Sequence, residues 1–185
     1  DLPWRATRDP YRVLVSELML QQTQVSRVLL YYEKFLTRFP TLAHLARARP
    51  AQVRESWDGL GYYARSRNLH RLARDITDGG AVPDRTLPPH ADKLRALPAT
   101  GPYTGGAVSS FAYERRASVV DTNVARVLQR VFAPGLDRKS SSGLRYLWEV
   151  AGALLPRTGQ ACWGHNQALM ELGALVCTAR VARCG

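Results

Sequence analysis

The sequence predicts an all-α protein, and three observations predict it. Apolar residues return at steps of three and four along most of the 185 residues, most such stretches are closed by proline or glycine, and no two segments alternate polar and apolar residues as paired strands would. The first stretch runs from Tyr11 to about Phe39, with Leu14, Leu18, Val25, Val28, Leu29, Tyr32 and Phe35 along it and Pro40 ending it, and reads as helix with one break. Helices are expected next over 41–48, over 50–58 up to Gly59, and over 64–78, where Leu69, Leu72 and Ile76 share a face ahead of Gly79 and Gly80. Residues 79–89, with Pro83, Pro88 and Pro89, read as a surface loop. Further helices are expected over about 90–97, 103–113, 122–132, 141–155 and 162–176.

The length allows one large helical domain or two small ones, and 45% hydrophobic residues are enough to fill a core. No run of 18 apolar residues is present and no charged-then-apolar leader opens the sequence, so a soluble cytoplasmic protein with no membrane partner is expected. The net charge of +11 points to a polyanion, nucleic acid before others. Of the 26 basic residues 23 are Arg, a bias that gene composition also produces, so charge narrows the partner without naming it. Cys162, Cys177 and Cys184 are an odd set, better suited to a metal site or buried thiols than to a disulfide framework.

Residues 97–108 place a tight Pro/Gly turn, Leu97-Pro98-Ala99-Thr100-Gly101-Pro102, ahead of a helix that opens at Tyr103-Thr104. The free amides and positive dipole end of such a helix suit a phosphate oxygen, which would grip a DNA backbone without reading its sequence. A turn of this kind is also an ordinary link between two helices.

Two carboxylates have a chemical reading. Glu17 has Val13, Leu14, Leu20 and Gln21 as same-face neighbours, so three of the four are apolar. Desolvation on such a surface raises a carboxyl pKa, as a general acid working near neutral pH requires; a Glu at the polar margin of an amphipathic helix is the plainer alternative. Asp121 stands just ahead of the helix expected from Thr122 and reads as its N-cap, a role compatible with catalysis.

Five blocks then carry a resemblance: Leu2-Pro3-Trp4-Arg5, Ser16 to Val25 around Glu17-Leu18-Met19-Leu20-Gln21-Gln22-Thr23, Gly59-Leu60-Gly61-Tyr62-Tyr63-Ala64-Arg65, Val120-Asp121-Thr122-Asn123-Val124, and Asn166 to Ala174. In this order, and with the hairpin between them, they are similar to MutY-type adenine DNA glycosylases of the helix-hairpin-helix superfamily, from Leu2 to Cys184. The family hairpin usually has Gly where Ala99 stands, while Gly101 is present.

The resemblance implies a helix-hairpin-helix DNA glycosylase fold in which two helical subdomains, a six-helix-type bundle over residues 1–115 and a second over 116–185, flank a DNA-binding groove. It implies a monomeric, monofunctional enzyme that flips adenine, mispaired with 8-oxoguanine or guanine, out of double-stranded DNA and hydrolyses its glycosidic bond in base excision repair, nucleoid-associated in a bacterium. Glu17 would protonate adenine at N7 and later handle the water proton, and Asp121 would stabilise positive charge on the sugar, with Tyr103 near both and Asn123 beside the Asp. Trp4, Arg5, Leu20 and Gln167 would line the adenine pocket. Gln22 and Tyr62 would enter the stack beside the orphaned base, and Thr23, Gly101, Tyr103 and Thr104 would meet DNA.

In the full-length family pattern Cys177 and Cys184 belong with two further cysteines to a four-iron four-sulfur cluster. The sequence as given ends at Gly185, so it is expected not to hold that cluster intact, either as part of a longer chain or as a form that has lost it. The family's C-terminal domain for 8-oxoguanine lies outside this sequence too. Cys162 does not fit the cluster spacing and is expected to be a buried thiol. The alternatives are an endonuclease III-like lyase, a thymine-mismatch glycosylase and a non-catalytic DNA-binding remnant. A lyase needs an amine nucleophile where Tyr103 stands, and the lysines are Lys34, Lys93 and Lys139.

Overall fold

The computed structural model describes residues 2–78, 85–98 and 100–183. Ala99, Cys184 and most of the expected 79–89 loop lie outside them. The chain divides into two compact units, residues 1–113 and 114–185. Among the described residues there are helices and one isolated bridge, between Cys177 and Ala182, and no helix long and apolar enough to cross a membrane.

The first unit opens with a 3-10 turn, Pro3–Arg5, which the sequence reading missed because three residues are too few to show a period. Helix α1, Pro10–Leu20, starts where the Asp9 carboxylate accepts from the amides of Tyr11 and Arg12 at 2.8 and 3.1 Å, with Pro10 at its first position. Every residue from Val13 to Met19 is buried, so α1 is the central helix of this unit. The break expected in the first stretch falls at residues 21–24, and α2, Val25–Arg38, follows with Val28, Tyr32, Phe35 and Leu36 turned inward. Three short or medium helices complete the packing: α3, Leu42–Arg47; α4, Pro50–Glu55; and α5, Ala64–Thr77, which buries Leu69, Leu72 and Ile76 as one stripe.

Trp57 is fully buried and packs edge-on against Phe35 with ring centroids 5.6 Å apart, while its indole N–H donates to the Gly61 carbonyl at 3.3 Å. Tyr11 is buried as well, and its hydroxyl donates to the Phe39 carbonyl at 2.7 Å, closing α1 onto the end of α2. Burial, with the Asp9 charge adding to it, pushes the Tyr11 phenol well above its ordinary pKa. The hairpin pair is α6, Ala91–Arg95, and α7, Pro102–Phe111; α7 packs on both α6 and α1. Thr100, buried between them in sequence, donates its hydroxyl to the Leu97 carbonyl at 2.7 Å and also to that of Leu94, which locks the turn from inside.

The second unit contains α8, Thr122–Phe132; α9, Ser141–Ala153; and α10, Gly159–Glu171. Its core is Val120, Val124, Leu128, Leu147 and Ala151, against which Trp148, Leu169 and Met170 pack. Helix α10 begins three residues earlier than expected because the Thr158 hydroxyl accepts from the Ala161 amide at 3.3 Å and so caps it. The stretch expected as helix to 176 does continue, but as a π-helical turn over Leu172–Val176, where the Cys177 amide reaches the Leu172 carbonyl at 2.7 Å. Cys162 is buried, as expected; its thiol donates to the Pro156 carbonyl at 3.3 Å, and burial raises its pKa.

Candidate active site

Helix α1 positions Glu17, and the structure removes the alternative of a polar-margin Glu: its residue exposure is 4%. The Tyr103 hydroxyl, from the first turn of α7, donates to Glu17 Oε2 at 2.6 Å. A phenol held on a buried carboxylate fixes its rotamer and so aims the carboxyl group for proton transfer. Next to this pair the Gln21 amide donates to the Thr104 hydroxyl at 3.3 Å, a second tie between the end of α1 and the start of α7.

Thr104 is buried with its hydroxyl engaged there, so the part of it suited to DNA is its backbone amide. Gly101, the N-cap of α7, is exposed, offers no side-chain cap, and has open space where a Cβ would stand. Its φ of −76° is one any residue adopts, so what glycine supplies here is room at an uncapped helix start. Of the adenine-pocket candidates, Trp4 is buried edge-on against Tyr32, ring centroids 5.3 Å apart, and its 3-10 turn packs on α1, which carries Leu20 at its end. Arg5 is half-buried on the same turn.

Gln22 and Tyr62 are exposed, and both have positive φ, 54° and 47°. Side chains rarely hold that conformation without being constrained by their surroundings. Gly59 and Gly61, at φ 89° and 73°, make the turn that presents Tyr62. Read without the resemblance, Tyr62 and Tyr63 would be taken for core or interface aromatics; the structure leaves Tyr62 60% exposed and Tyr63 half-buried, so Tyr62 is not a core residue. An open hollow of about 390 Å³ is lined by Gln22, Tyr62, Tyr63, Arg65 and Arg67. Thr23 is half-buried, its hydroxyl accepting from Arg65 at 3.0 Å.

In the second unit Asp121 caps α8, its Oδ1 accepting from the Val124 amide at 2.7 Å. Its Oδ2 accepts from the Asn123 side-chain amide at 3.1 Å. Asn123 is itself held: its Oδ1 accepts from Arg126 Nη2 at 2.8 Å. Arg126 also donates to the Cys177 carbonyl at 2.7 Å and the Gly173 carbonyl at 2.5 Å, so one buried guanidinium joins the capping carboxylate's partner to the π turn. Gln167 is half-buried on α10, one residue after Asn166, whose buried amide donates to the Ala117 carbonyl at 2.9 Å.

Cys177 is buried, and Arg130 Nη1 donates to its sulfur at 3.2 Å. Among the described residues no group of three or more His, Cys, Asp or Glu could hold a metal ion. Of the two cysteines assigned to the cluster, only Cys177 is among the described residues, and a cluster of this kind takes four thiolates. Of the lysines, Lys93 lies on α6, the first helix of the hairpin pair, and Lys34 on α2; neither is on α7 with Tyr103.

Residues 15–151 match the family model described as HhH-GPD superfamily base excision DNA repair protein. This chain belongs to that superfamily. All of it aligns with adenine DNA glycosylase of Rattus norvegicus at 45% identity, covering 36% of the rat protein, and with that of Mycolicibacterium smegmatis at 44%, covering 61%. The HhH-GPD chain thus spans between about a third and three fifths of these curated relatives. Among solved structures it is similar to a thermostable thymine-DNA glycosylase, with a TM-score of 0.88 and 30% identity over 100% of this chain and 82% of that one. An endonuclease III–DNA complex shares the fold, with a TM-score of 0.80 and 21% identity over 95% and 78% of the two chains.

Two residues of this HhH-GPD protein with central places had no role in the sequence reading. Arg126 sits among the buried residues of α8, and Arg65 heads the stripe Arg65, Leu69, Leu72, Ile76 on α5. An arginine in line with an apolar stripe is the signal that would have found both. Gly173 is a third case. A Cβ there would lie 2.7 Å from Asn123 Cβ and 2.9 Å from its carbonyl oxygen, so the π turn and α8 approach at a distance only glycine permits. Gly173→Ala is expected to lower stability by about 1–3 kcal/mol, the range for overpacking, despite Ala's better helix propensity. Chemical denaturation checks this; a variant at least as stable as wild type would mean that the turn yields without cost.

Proposed function

We propose that this HhH-GPD protein is the catalytic part of a monofunctional adenine DNA glycosylase acting on adenine opposite 8-oxoguanine or guanine in double-stranded DNA. The observation that carries this reading is the buried Glu17 with the Tyr103 hydroxyl on its carboxylate. In the proposed reaction Glu17 gives a proton to adenine N7, which makes the base a competent leaving group. The C1′–N9 bond then breaks with its electron pair going to adenine, and positive charge spreads over C1′ and the ring oxygen of the sugar. The Asp121 carboxylate stabilises that charge. Water adds to C1′, its proton returns to Glu17, and an abasic site is left. Tyr103 orients the acid, and Asn123 orients Asp121 through the bond at 3.1 Å.

Because the target base is inside the stack, the reading includes flipping. Gln22 and Tyr62 are assigned to the space the base leaves, one offering an amide to base edges and the other an aromatic face. The exposed, uncapped start of α7 is assigned to a backbone phosphate.

Single-turnover assays on duplexes carrying adenine opposite 8-oxoguanine and thymine opposite guanine test the assignment. Cleavage of the first and not of the second is expected, and the reverse would favour the thymine-mismatch alternative. Borohydride should trap no covalent DNA adduct; a stoichiometric adduct would replace the monofunctional reading with a lyase. A chain that continues this sequence with two further cysteines is proposed to carry a four-iron four-sulfur cluster, with Cys177 and Cys184 among its ligands. A visible iron–sulfur absorbance band in the purified longer protein, weakened by Cys177→Ala, is the expected result; a colourless protein with full iron–sulfur supply would refute it.

A further inference from the structure

Gln22 and Tyr62 lie on two different connections of the first unit, one after α1 and one before α5, yet both are held in a left-handed conformation that neither residue type favours. A single side chain joins the two connections. Arg65 Nη1 donates to the carbonyls of Leu18 and Met19 at 3.0 Å each and to that of Gln21. Nη2 donates to the Thr23 hydroxyl at 3.0 Å and to the carbonyls of Leu60 and Gly61 at 3.2 and 3.1 Å. The acceptors thus stand on both sides of Gln22 and immediately before Tyr62. The guanidinium also lies 5.6 Å from the centroid of the buried Trp57 ring and 5.3 Å from that of Tyr62.

The chemistry of the contacts explains why an arginine is there. Helix α1 ends at Leu20 with Gln21 as C-cap, so its last carbonyls lack partners within the helix and form its negative pole. A planar cation with donors on both nitrogens can serve those carbonyls and the Leu60–Gly61 carbonyls together, while its flat face supports the Tyr62 ring. An ammonium has three donors on one point and no plane, so lysine cannot span both sets.

We propose that Arg65 is the positioning residue that holds Gln22 and Tyr62 as one preset wedge for the DNA stack. The proposal rests on the reading that these two residues enter the duplex during base flipping. Arg65 itself is buried and need not touch DNA; its role is to keep the two edges from moving independently, so that opening the stack is not preceded by ordering two loops.

The test uses the intact protein and two duplexes: adenine opposite 8-oxoguanine, where the stack must be opened, and adenine opposite a tetrahydrofuran abasic analogue, where it is already weakened. Arg65→Lys is expected to slow single-turnover cleavage of the first by about 10- to 100-fold, the scale for a misplaced positioning group, with little change on the second. Gln22→Ala/Tyr62→Ala should slow the first duplex to a similar extent, and adding Arg65→Lys to it should slow it no further. Equal slowing on both duplexes, or additive slowing in the triple variant, overturns the proposal. A double alanine variant that cleaves the first duplex at the normal rate overturns the insertion reading, and the proposal with it, and is told apart by that rate. In case Arg65→Lys does not fold, nitrogen-edited NMR of the unmodified protein gives an independent readout: separate, slowly exchanging Arg65 Nη protons are expected, and one averaged resonance overturns the proposal.

Discussion

Glu17→Gln is expected to lower single-turnover adenine excision by at least about 100-fold, the lower range for loss of a general acid. The substitution preserves shape and removes the transferable proton. Glu17 is 4% exposed and its Oε2 accepts the Tyr103 hydroxyl at 2.6 Å, and the amide oxygen of Gln can accept the same bond. The tie between α1 and α7 therefore survives, supported by the Gln21–Thr104 bond at 3.3 Å, and the fold should not change. Thermal unfolding and a duplex-binding measurement separate the two effects: a folded variant that binds as well as wild type but does not cleave is the expected outcome. A Glu17→Gln protein that excises adenine at the wild-type rate would take Glu17 out of the chemistry.

The second large effect belongs to Asp121→Asn. Asn and Asp are about equally good N-caps, so the bond to the Val124 amide, 2.7 Å in the native protein, should be kept and stability should change by less than about 1 kcal/mol. What is lost is the charge. An anion near an oxocarbenium-like sugar in a water-poor site stabilises the transition state far more than the ground state, and removing such a group costs on the order of 100- to 1,000-fold in rate. The Asn123 amide, which donates to Asp121 Oδ2 at 3.1 Å, would also face an amide in place of a carboxylate oxygen. Denaturation and single-turnover rate measured on the same preparation decide between the roles. If stability falls steeply while the rate per folded molecule is unchanged, Asp121 is a cap and nothing more.

These two residues show what kinds of information a sequence holds. Asp121 was readable as a cap because capping is local: the acceptor and the amide it serves are three residues apart. Glu17 was readable only as a carboxylate beside apolar neighbours, since the partner that defines its setting, Tyr103, is 86 residues away. The resemblance named both, but it could not say that the Thr104 hydroxyl is buried, or that Thr23 is engaged with Arg65. Arg65 and Arg126 were given no role in the sequence for the same reason. Their acceptors are main-chain carbonyls on distant segments, and a carbonyl has no identity in a sequence.

By itself the sequence determined the all-α class, the order of the helices, the break in the first long stretch and the stripe of Leu69, Leu72 and Ile76. Periodicity, proline, glycine and capping side chains act within one or two turns, so the residues that decide these features are neighbours in the chain. The tertiary structure alone decided that Glu17 is enclosed, that α10 runs on as a π turn held by Arg126, and that one guanidinium binds the Gln22 and Tyr62 connections together. Each of these depends on satisfying buried polar groups across distant segments, and which groups meet is settled only when the helices pack.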